Sequence, residues 1–329
     1  MADDRIGITT TVPIEIIYAA GRTPVDLNNI FVDDADAAEL VSFAEKKGFP
    51  QSACAWTKGL YGVIHRYGIR EVVGVVEGDC SNTFALCEIL ESEGVTVHNF
   101  GFPSPRRPDD LSLRFERFAA ELGTTLAEAD GIKPEFDAIR ALAGELYRLA
   151  GDGMVSSGDL FSGLLNCSDF FGDPARCRRD LEAAIARAKA NPPEERKIRL
   201  GCVGVPTILT DLWTSFERLG ARFVDHEVPR QFALLDGIGK GMVETYLKYT
   251  YPYDVFTRID DVRREAAARE IRGIVHYVQS FCHRQIEDRL WRERIGLPIL
   301  TLEADRPGGI DERTRTRIEA FMERLDAPM

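Results

Sequence analysis

Two stretches of equal build decide the reading of the fold: Ile69–Cys80, IREVVGVVEGDC, and Ile271–Cys282, IRGIVHYVQSFC. Each opens Ile-Arg, runs through a short apolar stretch and closes on a cysteine at its twelfth position. Fourteen residues beyond each cysteine stands a glycine, Gly94 and Gly296, followed by another strand-like run, VTVHNFGFP and LPILTLEADRP. The shared unit is strand, cysteine, helix, glycine, strand. Apolar runs separated by helix-length segments are the pattern of buried parallel strands with crossover helices. The repetition predicts two α/β lobes of related build, each with a cysteine at the carboxyl end of a strand, the edge at which open α/β sheets bind ligands. The competing reading is that βαβ units resemble one another and the two cysteines coincide by chance.

Outward from these units, Ile14–Ala19 (IEIIYA) reads as an apolar strand ending at Gly21, and Val72–Val76 and Val95–Phe100 complete the first lobe. The second lobe begins at Ile198 (IRLGCVGV) and continues with Arg222–Val224, Gly273–Val278 and Pro298–Leu302. Between them, Arg114–Ala150 reads as mainly helical and Gly151–Gly172 as polar and loop-rich. Asp173-Pro174 reads as an N-cap and first helical position, opening a helix towards Ala190 that stops at Asn191-Pro192-Pro193. Ile318, Phe321, Met322 and Leu325 recur at helical spacing and predict one packed face. The expected organisation is a first α/β lobe over residues 1–113, a helical connecting segment over 114–195 and a second α/β lobe over 196–329.

The chain has 329 residues, with 41 Lys and Arg against 53 Asp and Glu, a formal net charge of −12. That balance argues against general nucleic-acid binding, which needs a basic footprint. A hydrophobic content of 44% excludes wholesale disorder. No apolar run reaches the roughly 18 residues of a membrane span. The acidic start, Met1-Ala2-Asp3-Asp4-Arg5, lacks the basic-then-apolar pattern of a signal peptide, so the expected compartment is the cytoplasm. Seven cysteines, an odd number in a large chain, read there as thiols, metal ligands or nucleophiles rather than as a disulfide framework.

Cys80 and Cys282 lead the candidates for chemistry, and Cys54, in QSACAWTKG, joins them. Cys54 precedes a helical stretch, where the helix dipole is expected to lower its pKa. Three thiolates from separated segments, without a CxxC pair, suit an iron–sulfur cluster better than zinc. The alternative is that these cysteines are small buried hydrophobes. Cys202, inside LGCVGV, reads as core; Cys87 lies two turns beyond Cys80 on the same helix; Cys167 sits in a loop-like stretch; Cys177, on an arginine-rich helix, reads as incidental. No HExxH occurs among the five histidines; His276 reads as structural, and His283, next to Cys282, is placed to line a pocket. Gly237–Gly241 (GIGKG) has the wrong spacing for a phosphate loop and no preceding strand, so ATP hydrolysis by this chain is not expected. A GxSxG elbow is missing too. Tyr246–Tyr253 (YLKYTYPY) reads equally as a cleft lining or as a helix end at Pro252.

Pro13-Ile14-Glu15, Ala19-Ala20-Gly21 and Pro24-Val25, with Cys54, Cys80 and Cys282, resemble the 2-hydroxyacyl-CoA dehydratase and benzoyl-CoA reductase family. The most specific part is C-terminal: Phe281-Cys282, Gly296-Leu297-Pro298, Leu302-Glu303-Ala304-Asp305 and Arg315–Phe321 (RTRIEAF). The resemblance covers nearly the whole chain, and Arg230-Gln231-Phe232 and Tyr249–Tyr253 are also similar to the double-cubane cluster proteins of the same superfamily. It implies two Rossmann-like lobes with parallel sheets and a 4Fe–4S cluster between them, held by Cys54, Cys80 and Cys282. It implies reductive chemistry fed by a separate ATP-hydrolysing activator protein, and a homodimer or a heterodimer of related subunits, with neither nucleic acid nor membrane as partner. A double-cubane 8Fe–9S cluster would need further ligands, for which Cys87, Cys167 and Cys202 are the candidates. This chain departs from the family in being shorter than usual dehydratase subunits and in lacking a cysteine within Asp225–Arg230. The expected function is an iron–sulfur dehydratase or reductase of this type. The alternatives are a double-cubane reductase of small unsaturated molecules and a non-catalytic electron-carrying or cluster-storage protein. Ser81, His283 and Glu77, near the ligands in sequence, are the candidates for proton transfer.

Overall fold

The computed structural model describes residues 4–190 and 198–327. Among these residues eight strands form two four-stranded sheets in which every pairing is parallel. The first sheet holds β1 (Arg5–Ile8), β2 (Thr23–Asp26), β3 (Glu71–Glu77) and β4 (Thr96–Gly101) in the order β2-β1-β3-β4. The second holds β5 (Ile198–Gly204), β6 (Ala221–His226), β7 (Gly273–Gln279) and β8 (Ile299–Ala304) in the order β6-β5-β7-β8. The two orders are the same, so the fold is two Rossmann-like lobes of one build, with β3 and β7 in equivalent places. Both strands are rich in β-branched residues that bury on both faces, as parallel strands under helices require.

One element differs from its sequence reading. Ile14–Ala19 is a helix, not a strand. Ile14, Glu15, Ile16 and Ile17 are all buried, and four consecutive buried residues carry no periodicity that separates helix from strand. The strands of that region are the shorter β1 and β2 on either side. Glu15, fully buried, faces Arg140 at 2.6 Å, which anchors this helix to the long helix Leu126–Gly151.

The segment between the sheets is helical, with helices at Pro108–Glu121, Leu126–Gly151, Ser157–Leu165 and Pro174–Ala190. The long one starts in a capping box between Thr125 and Glu128. The helix Ser157–Leu165 corrects the loop reading of residues 151–172. Its N-cap is Ser156, whose Oγ accepts from the Asp159 amide at 3.1 Å. Its Gly163 disguises it in sequence but has a packing purpose, since a Cβ there would lie 2.5 Å from Leu146 Cδ2. Asp173 caps the next helix as read, accepting from the Arg176 amide at 2.9 Å; the stop at Asn191-Pro192-Pro193 lies outside the described residues. One hydrophobic core joins Ile6, Ile8, Val73 and Val75 of the first sheet to Phe115, Ala143 and Leu146 of the helices. A second runs through both lobes, from Leu27, Phe31 and Val63 to Leu200, Phe223 and Tyr277, and takes in the buried face Ile318, Phe321, Met322 and Leu325 of the last helix. Among the described residues no helix is long and apolar enough to cross a membrane.

A pair of buried carboxyl groups ties the first lobe to the helical segment. The Asp26 amide, at the end of β2, donates to Asp169 Oδ2 at 2.7 Å, and the Ser168 hydroxyl donates to Asp26 Oδ2 at 2.5 Å. Burial, and then the charge of Asp26, push the Asp169 carboxyl up to about 7. Because the folded pKa lies above the unfolded one, this group's contribution to stability is complete below about pH 4 and lost as pH rises through about 7. Denaturant unfolding between pH 4 and 8 should therefore show stability falling with pH. Asp169→Asn should flatten that fall while lowering stability at pH 4 by about 1–3 kcal/mol, since an amide oxygen cannot serve both backbone donors, Asp26 and Phe171. An unchanged pH slope in the variant would refute the assignment.

Candidate functional site

In each sheet the chain leaves the two central strands to opposite sides, which opens a crevice at their carboxyl ends. The two crevices share one cavity. It is lined by Thr9 and Thr10 after β1, Asp79 and Cys80 after β3, Val205 and Pro206 after β5, and Gln279 and Cys282 at and after β7. Together with the solvent at its mouth it spans about 640 Å³. Cys54, Trp56, Thr57 and Leu60 close it from the helix Ala55–Tyr67, and Phe232 and Tyr251 from the second half of the chain.

Cys54, Cys80 and Cys282 thus line one cavity, and each is the N-cap of a helix: Ala55–Tyr67, Ser81–Ser92 and His283–Ile286. Cys80 and Cys282 each stand three residues past the end of their strand, so the matched spacing in sequence is a matched position in the fold. Two of the three share a feature that was legible but unread. Cys54 and Cys80 each have a threonine three residues on, Thr57 and Thr83, in the first turn of the helix they cap. The Thr83 hydroxyl lies 3.7 Å from Cys80 Sγ and donates to Asp79 Oδ2 at 3.0 Å. Three sulfurs from three segments around one cavity are a donor set able to hold a polynuclear iron–sulfur centre. Among the described residues no group of three His, Cys, Asp or Glu side chains is gathered closely enough for a single metal ion.

The thiols are not activated by their helices. Burial raises all three pKa values, the Cys282 thiol to about 11. At Cys54 the Thr57 and Trp56 amides and the Thr57 hydroxyl oppose burial without outweighing it, which corrects the expected lowering. The remaining cysteines lie outside the cavity lining. Cys87 packs on the bare backbone of β3, where a Cβ on Gly74 would lie 2.2 Å from its sulfur. Cys202 is core in β5, as read. Cys167 donates to the Gly163 carbonyl at 3.5 Å, and Cys177, far from incidental, is buried beside it.

Of the proton-transfer candidates, His283 lines the cavity, and burial followed by the Arg284 charge lowers its pKa. Ser81 is exposed and Glu77 accepts from Arg114 Nη2 at 2.7 Å; neither is among the cavity-lining residues. Asp79 does line it, with a carboxyl pushed up by burial. Arg284 was missed as well, and its adjacency to His283 and Cys282 was the available signal. It is buried, its guanidinium lies 4.5 Å from the Tyr251 ring centre, and its Nη2 donates to the Tyr251 carbonyl at 2.8 Å. Tyr251 lines the cavity, as the cleft reading of YLKYTYPY expects, and belongs with Tyr246 and Tyr249 to the hydrophobic core. His276 is structural as read, its Nδ1 2.8 Å from Asp288 Oδ1. Gly237–Gly241 packs against Lys133 and Asp137 with no strand before it.

A family model described as 2-hydroxyglutaryl-CoA dehydratase, D-component, matches residues 9–325. No curated protein matches the chain.

With its thiol pushed up to about 11, Cys282 in metal-free protein should react slowly at neutral pH. Its alkylation by iodoacetamide, followed by peptide mass spectrometry, should quicken about tenfold per pH unit well beyond pH 9, because thiolate is the nucleophile. A plateau near pH 8.5 would contradict the burial argument.

Proposed function

Because the chain belongs to the 2-hydroxyglutaryl-CoA dehydratase D-component family, we propose that it is a cluster-bearing subunit that removes the hydroxyl of a 2-hydroxyacyl substrate. In this reading Cys54, Cys80 and Cys282 hold a 4Fe–4S cluster. The observation that carries it is that these three cysteines, from three separate segments, line one cavity between the lobes. When bound, such a cluster supplies single electrons at low potential and an iron without a protein sulfur. The electrons come from a separate ATP-hydrolysing activator, a need consistent with a glycine-lysine run that does not form a phosphate loop. The subunit works as a homodimer or beside a related subunit.

The chain's own residues supply the rest. Leu60, Val205, Pro206 and Phe232 give the cavity an apolar wall that keeps water from the reacting carbon. His283, kept neutral by its lowered pKa, is able to take a proton, and Asp79, with its raised pKa, to hold one. Cys87, Cys167 and Cys202 lie outside the cavity lining, which favours a single cubane over the double-cubane centre.

Iron loss decides the ligand set. Thiolate binds iron and a serine hydroxyl is a far weaker ligand. Cys54→Ser, Cys80→Ser and Cys282→Ser, purified without oxygen, should each lose most of the iron and visible absorption while remaining folded. Cys202→Ser should keep its iron and lose about 1–3 kcal/mol of stability by burying a hydroxyl in a strand. Full iron in Cys282→Ser would remove the assignment. Turnover of a 2-hydroxyacyl-CoA with activator and ATP separates the enzyme from an electron carrier or cluster store, which would take up electrons and release no product.

A further inference from the structure

We propose that Arg284 is the residue that binds the substrate's acyl oxygen. This deepens the reading above and rests on it for the place of the substrate beside the three cysteines. Arg284 is the one arginine or lysine among the residues lining the cavity.

The guanidinium is fixed in place and incompletely used. Nη2 donates to the Tyr251 carbonyl at 2.8 Å, and the group is stacked on the Tyr251 ring. Nη1 faces both oxygens of Glu287, but at 3.3 Å to each, and Glu287 is shared with Arg258 Nη1 at the same distance. Arg258 is itself bound in two places to Glu227, at 2.6 and 2.7 Å. Of the five N–H donors of Arg284, Nε is buried without any partner. Two other cavity residues have the same deficit: Trp56 Nε1 and Gln279 Oε1 are buried and unpartnered. Buried atoms away from the cavity, such as His226 Nδ1 and Trp291 Nε1, also lack partners, so it is the place of these three on the lining of one cavity that points to a ligand.

The chemistry of that ligand follows from the rest of the lining. One fixed cation with a planar fork, set among Leu60, Val205, Pro206 and Phe232, suits a short carbon chain ending in an acyl group. An oxygen that carries negative charge, in a free carboxylate, or that gains it as an electron enters a thioester carbonyl, is the partner an arginine stabilises most.

The test is calorimetric titration of cluster-loaded protein with 2-hydroxybutyrate and, separately, with its CoA thioester. Wild type should bind at least one, and which one identifies the source of the acyl oxygen. Arg284→Gln should weaken that binding fivefold or more with iron content and thermal midpoint retained, because Glu287 keeps Arg258 as its partner. Arg284→Lys, which keeps the charge and loses the fork, should fall between the two. A loss below fivefold in Arg284→Gln, or no binding of either probe by wild type, overturns the proposal. If Arg284→Gln does not fold, Arg284→Lys decides, with a threefold loss as the threshold. Iron content is counted on the same samples. Wild type without iron would defeat the cluster reading by itself, and the same titrations would still decide the role of Arg284.

Discussion

The site depends on a constraint of parallel sheets. A strand order of 2-1-3-4 sends the chain away from the two central strands in opposite directions, so no crossover helix covers their carboxyl ends. Here that gap occurs twice, between β1 and β3 and between β5 and β7, and the two gaps share one cavity. Backbone amides at the start of the following helices point into such gaps, so a cysteine at the N-cap is held at the crevice by secondary structure alone. Cys80 and Cys282 are placed in this way, each before a helix that follows a central strand. Cys54 arrives differently, at the start of a helix that packs across the first lobe, and supplies the third corner.

What could be read from sequence follows from how strongly each segment is constrained. β3, β5 and β7 are mostly apolar runs buried on both faces, and such runs have few other uses. β1 and β2 are RIGI and TPVD, four residues each with Arg, Gly, Pro and Asp among them, and they are strands only because neighbours pair with them. The helix Ile14–Ala19 hid behind consecutive burial, and Ser157–Leu165 behind glycines of which Gly163 is needed for close packing. The cysteines of the site were legible because spacing survives in sequence. Asp79, Trp56 and Arg284 were not, because a polar residue beside a cysteine looks the same whether it faces a cavity or solvent. Only the fold decides which.

Burial dominates the electrostatics of the cavity. It raises the three thiols, Asp79 and Tyr251 and lowers His283, so each of these groups is pushed towards its neutral form. Helix N-termini and nearby hydroxyls act against this at the sulfurs and are too weak. Thiolates at this place would therefore need a cation to draw off their protons, which the proposed cluster would supply. On that proposal, coupling of proton release to loading follows from the burial itself.

The two lobes give like anchors and unlike chemistry. After β3 the chain reads Gly78-Asp79-Cys80, and Gly78, at φ +93°, lets Pro252 and Phe102 approach so closely that a Cβ would collide. The loop buries, and Asp79 turns to the cavity. After β7 the equivalent residues are Ser280-Phe281-Cys282; Phe281 takes the left-handed conformation at φ +63° and leaves its ring 68% exposed. No acid lines the cavity on that side. Its charge comes instead from Arg284, held by the alternating series Glu227, Arg258, Glu287 that begins just after β6. Duplication of the fold thus sets the two sulfurs in equivalent places, while divergence of two short loops sets an acid on one side of the cavity and a cation on the other. A ligand with two unlike ends is oriented by a cavity of this kind where a symmetric one would not orient it.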